Sequence, residues 1–370
     1  MSKKIIAVIL AVLMLAAVLT ACGGGNDPAP APAPSNNSTP APANNEKDPE
    51  PAKSEYTQTY ALKYSSYAPA GHPTNEIFEI PLKEFIEKES NGHITVEIYS
   101  AGSLTTQGNT LEGMISGVTD MGYDAPAYYA GVYPRIELLT TPGINYGDYD
   151  QQMAVFKEFN ATYPSQNFED NFFLLSWQPS ATTLFVSTKP IEKYSDIAGF
   201  SVRVPADKVP YFEAIGAAPV VMSTADIYES LRLNVLQGAA VSILAVQTTS
   251  IYELCDTATK WLGATGMTGY YMSKAVYDDM DPEAQAVMDK AQELVSTELW
   301  KTDLEYQEST ANETVFANNP NFKYLEFDAD AQAQMAKAAE PVLAAKAAEV
   351  DALGLDGTGI LEWMRAHAVD

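Results

Sequence analysis

Residues 194–205 read Tyr-Ser-Asp-Ile-Ala-Gly-Phe-Ser-Val-Arg-Val-Pro, and the organisation of the chain can be worked out from this stretch. Its second half alternates between apolar and other residues, which predicts a strand with Phe200 and Val202 on one face. Arg203 then lies on the opposite face, and Pro205 ends the strand. The pattern therefore places one arginine at the end of a strand.

Arg203 is one of four arginines in the chain, and those at positions 135, 232 and 365 lie in loop-like or helical stretches. Ligands of open α/β sheets bind at strand ends, where a guanidinium offers a planar fork that fits a carboxylate. The spacing leaves a second interpretation open, in which Arg203 is a solvated residue on a strand edge.

The surroundings of Arg203 resemble a signature of the solute-binding receptors of tripartite ATP-independent periplasmic (TRAP) transporters, the DctP-type family. Residues 197–205 follow that signature, and the family's Gly-Ala-x-Pro-Val has its counterpart at residues 216–220. The Met-Ser pair and the helical tyrosine that come next match Met222, Ser223 and Tyr228. In this family the arginine pairs with the ligand carboxylate, so the resemblance implies that role for Arg203.

Shorter motifs extend the resemblance over nearly all of residues 56–370. They are Ser90 to Val96, Ser116 to Gly122, Tyr133-Pro134 and the helix start Asp281-Pro282. The resemblance implies an α/β fold of the periplasmic-binding-protein kind, type II-like, with two lobes, hinge strands and a long interlobe helix.

The first residues have the features of a secretory signal. Lys3 and Lys4 precede an apolar run that is shorter than the roughly 20 residues of a membrane-spanning helix, which predicts a signal peptide over residues 1–21. Leu-Thr-Ala-Cys at residues 19–22 resembles a bacterial lipobox, so we expect Cys22 to carry a lipid. An ordinary signal with an incidental cysteine is the alternative.

Residues 22–54 are rich in Pro and Ala and have no large apolar residue after the cysteine, which predicts a disordered tether. The remaining roughly 315 residues exceed what one core usually serves, so two lobes are expected. We assign residues 55–180 and 269–308 to the first lobe, and residues 181–268 and 309–370 to the second.

Strand and helix patterns alternate as βαβαβ between Tyr60 and Tyr123, which predicts a parallel sheet flanked by helices. Phe172 to Trp177 and Leu184 to Ser187 are predicted to be neighbouring strands. Residues 329–353 have a helical, Ala-rich composition, and Pro341 is expected to divide this stretch into two helices.

The formal charge of -26 makes nucleic acid and anionic lipid headgroups poor partners. It does not exclude an anionic ligand, because salt screens exposed charges over about 8 to 10 Å while a buried guanidinium acts at contact. Cys255 is the only cysteine besides Cys22, and we expect it to be a buried, free thiol.

The sequence contains no pattern that predicts catalysis. His72, His93 and His367 are scattered, and the chain has none of the common hydrolase, phosphate-binding or paired-cysteine metal motifs. We therefore expect no enzymatic activity, no catalytic residue, no cofactor and no metal site.

Loops at the predicted strand ends supply the remaining candidate ligand contacts. Aromatic side chains there can cover an apolar ligand body while polar groups orient it. Each of these residues, taken singly, fits the core or the surface better than a ligand contact. The candidates are Tyr67, Tyr123, Asp124, Trp177, Gln178, Ser242, Gln247 and Tyr270.

The chain also departs from the family pattern. Some relatives have a second arginine where this chain has Thr183, which implies a single guanidinium and a monocarboxylate, or a second ligand group that is bound differently. Ala240 and Val241 replace acidic and amide residues that lead into ligand contacts in many relatives. The resemblance therefore does not identify the ligand.

The sequence thus predicts a lipid-anchored receptor outside the cytoplasm that closes on a small organic acid. The resemblance implies that it delivers this acid to the small and large membrane subunits of a TRAP permease. Three alternatives remain open: a receptor of an ATP-driven importer, a sensory module that presents its ligand to a signalling protein, and an enzyme on a binding-protein scaffold.

Overall fold

A computed structural model describes residues 56–369, apart from 165–167, 169, 181–182 and 262–265. The predicted signal peptide, Cys22 and the tether lie outside the described residues. Within the described part, no helix combines the length and the apolar character needed to cross a membrane.

The described residues form two sheets with helices around them. The strands are β1 (Tyr60–Ser65), β2 (Ile94–Tyr99), β3 (Met121–Asp124), β4 (Phe172–Pro179), β5 (Leu184–Ser187), β6 (Ser201–Val204), β7 (Ala218–Val221), β8 (Gly238–Val241), β9 (Thr257–Lys260), β10 (Met267–Ser273) and β11 (Lys323–Glu326). The α-helices are α1 (Ile80–Glu89), α2 (Thr110–Ile115), α3 (Pro134–Leu139), α4 (Tyr149–Thr162), α5 (Tyr194–Ile197), α6 (Val209–Ala214), α7 (Ile227–Arg232), α8 (Ile243–Thr248), α9 (Lys274–Asp278), α10 (Pro282–Leu294), α11 (Trp300–Tyr306), α12 (Asn312–Asn318), α13 (Ala329–Ala352) and α14 (Gly357–Ala366).

The first sheet has the strand order β2-β1-β3-β10-β4. β1 is parallel to both β2 and β3, which confirms the parallel βαβαβ unit predicted from the sequence. β10 returns antiparallel between β3 and β4. This strand brings a late part of the chain into the first lobe.

The second sheet has the order β11-β9-β5-β8-β6-β7, and β6, which carries Arg203, is parallel to both of its neighbours. The prediction that the strands now called β4 and β5 are neighbours is wrong. β4 pairs with β10 in the first sheet, whereas β5 pairs with β8 and β9 in the second. The chain therefore passes between the lobes after Pro179 and returns between Lys260 and Met267.

One long helical segment connects the lobes. α10, α11 and α12 follow one another through two π-helical turns, Val295–Leu299 and Gln307–Ala311. Met288 near its start packs in the core of the first sheet, and Val315 near its end packs in the core of the second. Asp281 begins the segment by accepting a hydrogen bond from the backbone N–H of Ala284 at 3.1 Å.

Helix α13 is continuous, so the prediction that Pro341 divides it is wrong. A proline inside a helix costs about 3 kcal/mol or more. Fully burying one large aliphatic side chain contributes about 1.5–3 kcal/mol. Met335 and Leu343 are buried on either side of the proline, and burial on both sides offsets the lost hydrogen bond.

The C-terminal helices touch segments assigned to both lobes. α13 packs against α3, which precedes the first crossing, and also against α6, which follows it. α14 packs against α13 and α3. The lobe boundaries given above stay a prediction for this part of the chain.

Cys255 is fully buried in the core of the second sheet and is a free thiol in the described part of the chain. Burial raises the pKa of this thiol to about 12, so it stays protonated at neutral pH. Its surroundings are those of a small buried apolar residue.

Candidate functional site

A cavity of about 240 Å³ lies where the strand ends of the two lobes face each other. The first lobe contributes three tyrosines that the sequence singled out, Tyr67, Tyr123 and Tyr270. The second lobe contributes Arg203 and Ser242. Thr183 lines the same cavity at the first crossing between the lobes.

Arg203 is 3% exposed, so the alternative of a solvated strand-edge arginine is wrong. Its Nε donates to the carbonyl oxygen of Met222 at 3.0 Å. Its Nη2 donates to the hydroxyls of Tyr128 at 2.9 Å and Thr224 at 3.3 Å. All of these partners are neutral, and no carboxylate of the described residues forms an ion pair with Arg203.

The contacts of Arg203 cross from one lobe to the other. Tyr128 ends a short 3₁₀ turn of the first lobe, and Thr224 begins another in the second lobe. Gln107 of the first lobe accepts hydrogen bonds from the backbone N–H and the hydroxyl of Thr224, both at 3.3 Å. The lobes are therefore closed over the cavity on this side.

Three tyrosines form an aromatic row along the wall of the first lobe. The ring centroids of Tyr67 and Tyr123 are 4.5 Å apart, and those of Tyr123 and Tyr270 are 5.6 Å apart. Phe78 stacks behind Tyr270 at 3.8 Å. Burial raises the pKa of all three tyrosines, which keeps their hydroxyls protonated. The row offers apolar faces and neutral hydroxyl groups to a ligand.

Ser242 occupies a position that the fold explains. It follows β8 directly and begins α8, where its hydroxyl accepts from the backbone N–H of Ala245 at 3.4 Å. The end of a strand and the start of a helix thus meet at this residue on the cavity wall.

Asp124 follows the cavity-lining Tyr123 but lies behind the wall. Its carboxyl group is fully buried and accepts hydrogen bonds from the backbone N–H groups of Gly108 (2.8 Å) and Ala125 (2.9 Å) and from the hydroxyl of Tyr129 (2.7 Å). Burial raises its pKa to about 6 in spite of these donors. Asp124 therefore holds together the loops that carry Gln107 and Tyr128.

Trp177 also lies away from this cavity. It pairs with Gly269 of β10, and because side chains alternate along a strand, its ring lies on the face opposite to Tyr270. The ring is 4% exposed, packs 5.3 Å from Phe168 and borders a second cavity on the far side of the sheet.

Gln178 and Gln247 are likewise not among the residues that line the cavity. Gln178 is 2% exposed, and its side-chain oxygen has no hydrogen-bond partner within the described residues. Gln247 donates to the hydroxyl of Tyr306 at 3.0 Å, which ties α8 to the long helical segment.

The sequence did not indicate the other ionisable groups of the wall. Lys208 pairs with Asp207 at 2.8 Å. Burial lowers the pKa of His72 to about 4, so its ring is neutral at pH 7. Asp303 of α11 accepts one hydrogen bond, from the side-chain amide of Gln307 at 2.8 Å, and burial raises its pKa to about 6. The spacing of Asp303 and Gln307, one helical turn, was the available signal for this pair.

In residues 56–369, as far as they are described, no group of three or more His, Cys, Asp or Glu side chains is placed to hold a metal ion. The described residues of the wall provide the guanidinium of Arg203, the carboxyl group of Asp303, an aromatic row and scattered hydroxyls, which suits the binding of a small organic molecule.

Residues 64–349 match the family described as bacterial extracellular solute-binding protein, family 7 (DctP). One relative is the ectoine/5-hydroxyectoine-binding periplasmic protein UehA of Ruegeria pomeroyi, which is 25% identical over 215 residues. That match covers 55% of this chain and 62% of the relative, so the chain spans less than two thirds of the relative's length.

Solved structures show the same fold. A TRAP solute-binding protein from Rhodoferax ferrireducens in complex with copurified benzoate has a TM-score of 0.75 and 23% identity, with 84% of this chain and 97% of that protein covered. A TRAP periplasmic solute-binding protein from Sulfitobacter with bound β-D-galacturonate has a TM-score of 0.74 and 19% identity, with 83% and 99% covered. The predicted two-lobed α/β fold is confirmed.

Proposed function

Because this chain belongs to family 7 of the bacterial extracellular solute-binding proteins, we propose that it is the receptor of a TRAP transporter and binds a small organic acid between its lobes. The two structural relatives are TRAP proteins whose ligands, benzoate and β-D-galacturonate, each carry a carboxylate. In this proposal the receptor delivers its acid to the membrane subunits of a permease. The family is one of binding proteins, so the proposal includes no catalytic step and no cofactor.

The observation that carries this proposal is the buried guanidinium of Arg203 at the cavity wall. A buried charge is stable when it is paired, and every partner of Arg203 in the described residues is neutral. A ligand carboxylate would supply the missing negative charge through strong, charge-assisted hydrogen bonds. Some relatives have a second arginine at the position of Thr183, which would favour a dicarboxylate. Because this chain has a threonine there, we propose a ligand with one carboxylate, bound at Arg203.

The other wall residues have supporting roles in the proposal. Tyr67, Tyr123 and Tyr270 cover the body of the ligand with their rings, while Ser242 and Thr183 orient its polar groups. Asp124 positions the loops of the first lobe and does not touch the ligand. Trp177 packs in the core beneath the sheet of the first lobe and does not touch the ligand.

The test of the proposal is the loss of affinity in Arg203→Ala. The ligand is the acid that copurifies with the protein, identified by native mass spectrometry, and its affinity is measured by calorimetry. Removal of one partner from a buried ion pair costs about 3–5 kcal/mol. The affinity should therefore fall by roughly two to three and a half orders of magnitude.

Two variants serve as controls for this measurement. Arg203→Lys keeps the charge but loses the planar fork, so it should restore the affinity only in part. Arg232→Ala should leave the affinity unchanged, because Arg232 is a half-exposed residue that pairs with Glu229 at 2.7 Å on the helix surface. Binding of the acid by Arg203→Ala within about threefold of the parent, a difference below 1 kcal/mol, would contradict the proposal.

We further propose that Cys22 carries a diacylglyceryl anchor, which would attach the receptor to the outer face of the cell membrane. The support is the sequence Leu-Thr-Ala-Cys at residues 19–22 after a charged start and an apolar run. Two acyl chains give stable attachment, whereas one chain binds membranes only marginally. Cys22→Ser should abolish labelling by a radioactive or alkyne fatty acid and leave a larger precursor. Cys255→Ser should keep the label, and labelled Cys22→Ser would exclude the anchor.

A further inference from the structure

We propose that the ligand of this cavity is a zwitterion, whose cationic nitrogen binds Asp303 while its carboxylate binds Arg203. The inference rests on the proposed function and names the class of acid that the site takes. It comes from the charges of the cavity wall and from the contacts that lie between them.

Among the described residues of the wall, Arg203 and Asp303 are charged groups without a counter-charge. Lys208 is compensated by Asp207 at 2.8 Å. Arg203 has neutral partners, as described above, and Asp303 has only the amide of Gln307 in the described residues. Arg203 is buried and Asp303 is partly buried. A charge removed from water without a counter-charge is costly, and a ligand with both charges compensates both residues.

Asp303 and Arg203 do not compensate each other. They form no ion pair, and no positive charge lies close enough to Asp303 to lower the pKa of its carboxyl group. The contacts between them run along aromatic rings. Tyr128 binds Arg203, and the row of Tyr67, Tyr123 and Tyr270 lines the same cavity. α11, which carries Asp303, packs against the turn that contains Phe78, and Phe78 stacks on Tyr270. Arg203, Asp303 and the row line one cavity, so a ligand that lies along the row can meet both charged residues.

The carboxyl group of Asp303 is also short of one hydrogen-bond donor. Its Oδ2 accepts from Gln307, while its Oδ1 is inaccessible to solvent and has no partner within the described residues. An unpaired buried oxygen is destabilising, and more so when the group is charged. A ligand hydroxyl would supply the donor but would leave the negative charge uncompensated. A protonated nitrogen supplies both.

The test compares acids with and without a cationic nitrogen. The amino acids are 4-aminobutanoate, 5-aminopentanoate, 6-aminohexanoate and 3-(aminomethyl)benzoate, and their partners are butanoate, pentanoate, hexanoate and 3-methylbenzoate. Calorimetry measures their affinities for the full chain. At least one amino acid should bind at least tenfold more tightly than its partner. In Asp303→Asn this advantage should shrink to within threefold, while the affinity of the partner stays within threefold of the parent.

Glu305→Gln is the matched control, because Glu305 is an exposed residue of the same helix and its substitution changes the net charge by the same amount. It should keep the tenfold advantage. Thermal unfolding of Asp303→Asn shows whether the variant is folded. If it is unstable, Asp303→Glu replaces it, since the altered reach of the carboxylate should change which chain length binds best.

The inference is overturned if the acids without nitrogen bind as tightly as the amino acids, or if Asp303→Asn keeps the advantage. It is also overturned if no acid of the panel binds and the copurified ligand has no basic nitrogen. In each case, a loss of affinity for the bound acid in Arg203→Ala would still support the proposal that the protein is a carboxylate receptor. An affinity for the acid that is unchanged in Arg203→Ala would instead contradict the proposed function.

Discussion

Glu79 is a carboxyl group that the fold buries behind the tyrosine row without a cation. It is 1% exposed, Asn75 donates to one of its oxygens, and the other oxygen has no partner in the described part of the chain. Burial raises its pKa to about 7 from a usual value of 4.5, against hydrogen bonds from Ser66 and Asn75. The ionised form is therefore disfavoured in the folded state.

We expect Glu79→Gln to stabilise the protein at alkaline pH. Below the unfolded pKa, Glu79 is protonated in both states, so its burial costs little. As the pH rises from the unfolded pKa of 4.5 through the folded pKa of about 7, the carboxyl group ionises more readily in the unfolded state than in the native state. The free energy of unfolding of the parent protein therefore falls over this range. The variant should therefore be more stable than the parent at pH 8 by an amount on the order of 3 kcal/mol, and by less than about 1 kcal/mol at pH 5.

Urea denaturation of both proteins at pH 5 and pH 8 measures this difference. Glu76→Gln is the control, because Glu76 lies in the same π-helical turn and is exposed, so its substitution should have no pH-dependent effect. If the stability gain of Glu79→Gln were the same at both pH values, burial would not raise the pKa of Glu79 in the folded protein, and the prediction would be wrong.

Single residues of the site were predictable where local sequence placed them at strand ends. Arg203 is such a residue, and so is Ser242, which directly follows β8. Trp177 also belongs to a strand, but the face of its side chain depends on the register of β4 against β10, which one sequence does not reveal. Asp303 and Tyr128 reach the cavity only through the packing of a helix and a turn. The spacing of Asp303 and Gln307 signals their hydrogen bond but not their position on the cavity wall.

At the scale of elements, the boundaries of strands were easier to predict than their partners. Leu184 to Ser187 were predicted as a strand and form β5, because a short apolar run rich in strand-forming residues acts locally. The partners of β4 and β5 were predicted wrongly, because strands that are close in sequence usually pair with each other. Here the chain crosses from the first lobe to the second between them, so each strand pairs within its own sheet. Pro341 was misjudged for a related reason: tertiary burial of α13 overrides a local preference.

At the scale of the whole molecule, the contacts between the lobes predict closure around the ligand. Tyr128 and Gln107 of the first lobe bind Arg203 and Thr224 of the second, and these hydrogen bonds exist only when the lobes are together. A ligand that touches both lobes stabilises this state through its differential affinity.

Solution scattering with and without the copurified acid should therefore show a smaller radius of gyration in the bound protein. Tyr128→Phe removes a hydrogen bond to a charged group, worth about 1.5–3 kcal/mol, so it should weaken binding about tenfold or more and leave a larger share of open molecules. Tyr228→Phe, which removes an exposed hydroxyl contact with Glu253, is the control. Superimposable scattering curves at saturation would mean that the cavity is rigid.

The two π-helical turns of the long helical segment determine which side chains of α11 face the binding site. Each turn accommodates about one residue more than a regular helix, and one residue corresponds to about 100° of rotation. α11, which carries Asp303, lies between these turns, so its orientation is set separately from the parts that pack on the two sheets. Gain or loss of a single residue in either turn would turn a different side chain toward the ligand while both cores keep their packing. The selectivity of such a receptor can thus change through helix phase alone, with no substitution at the cavity wall.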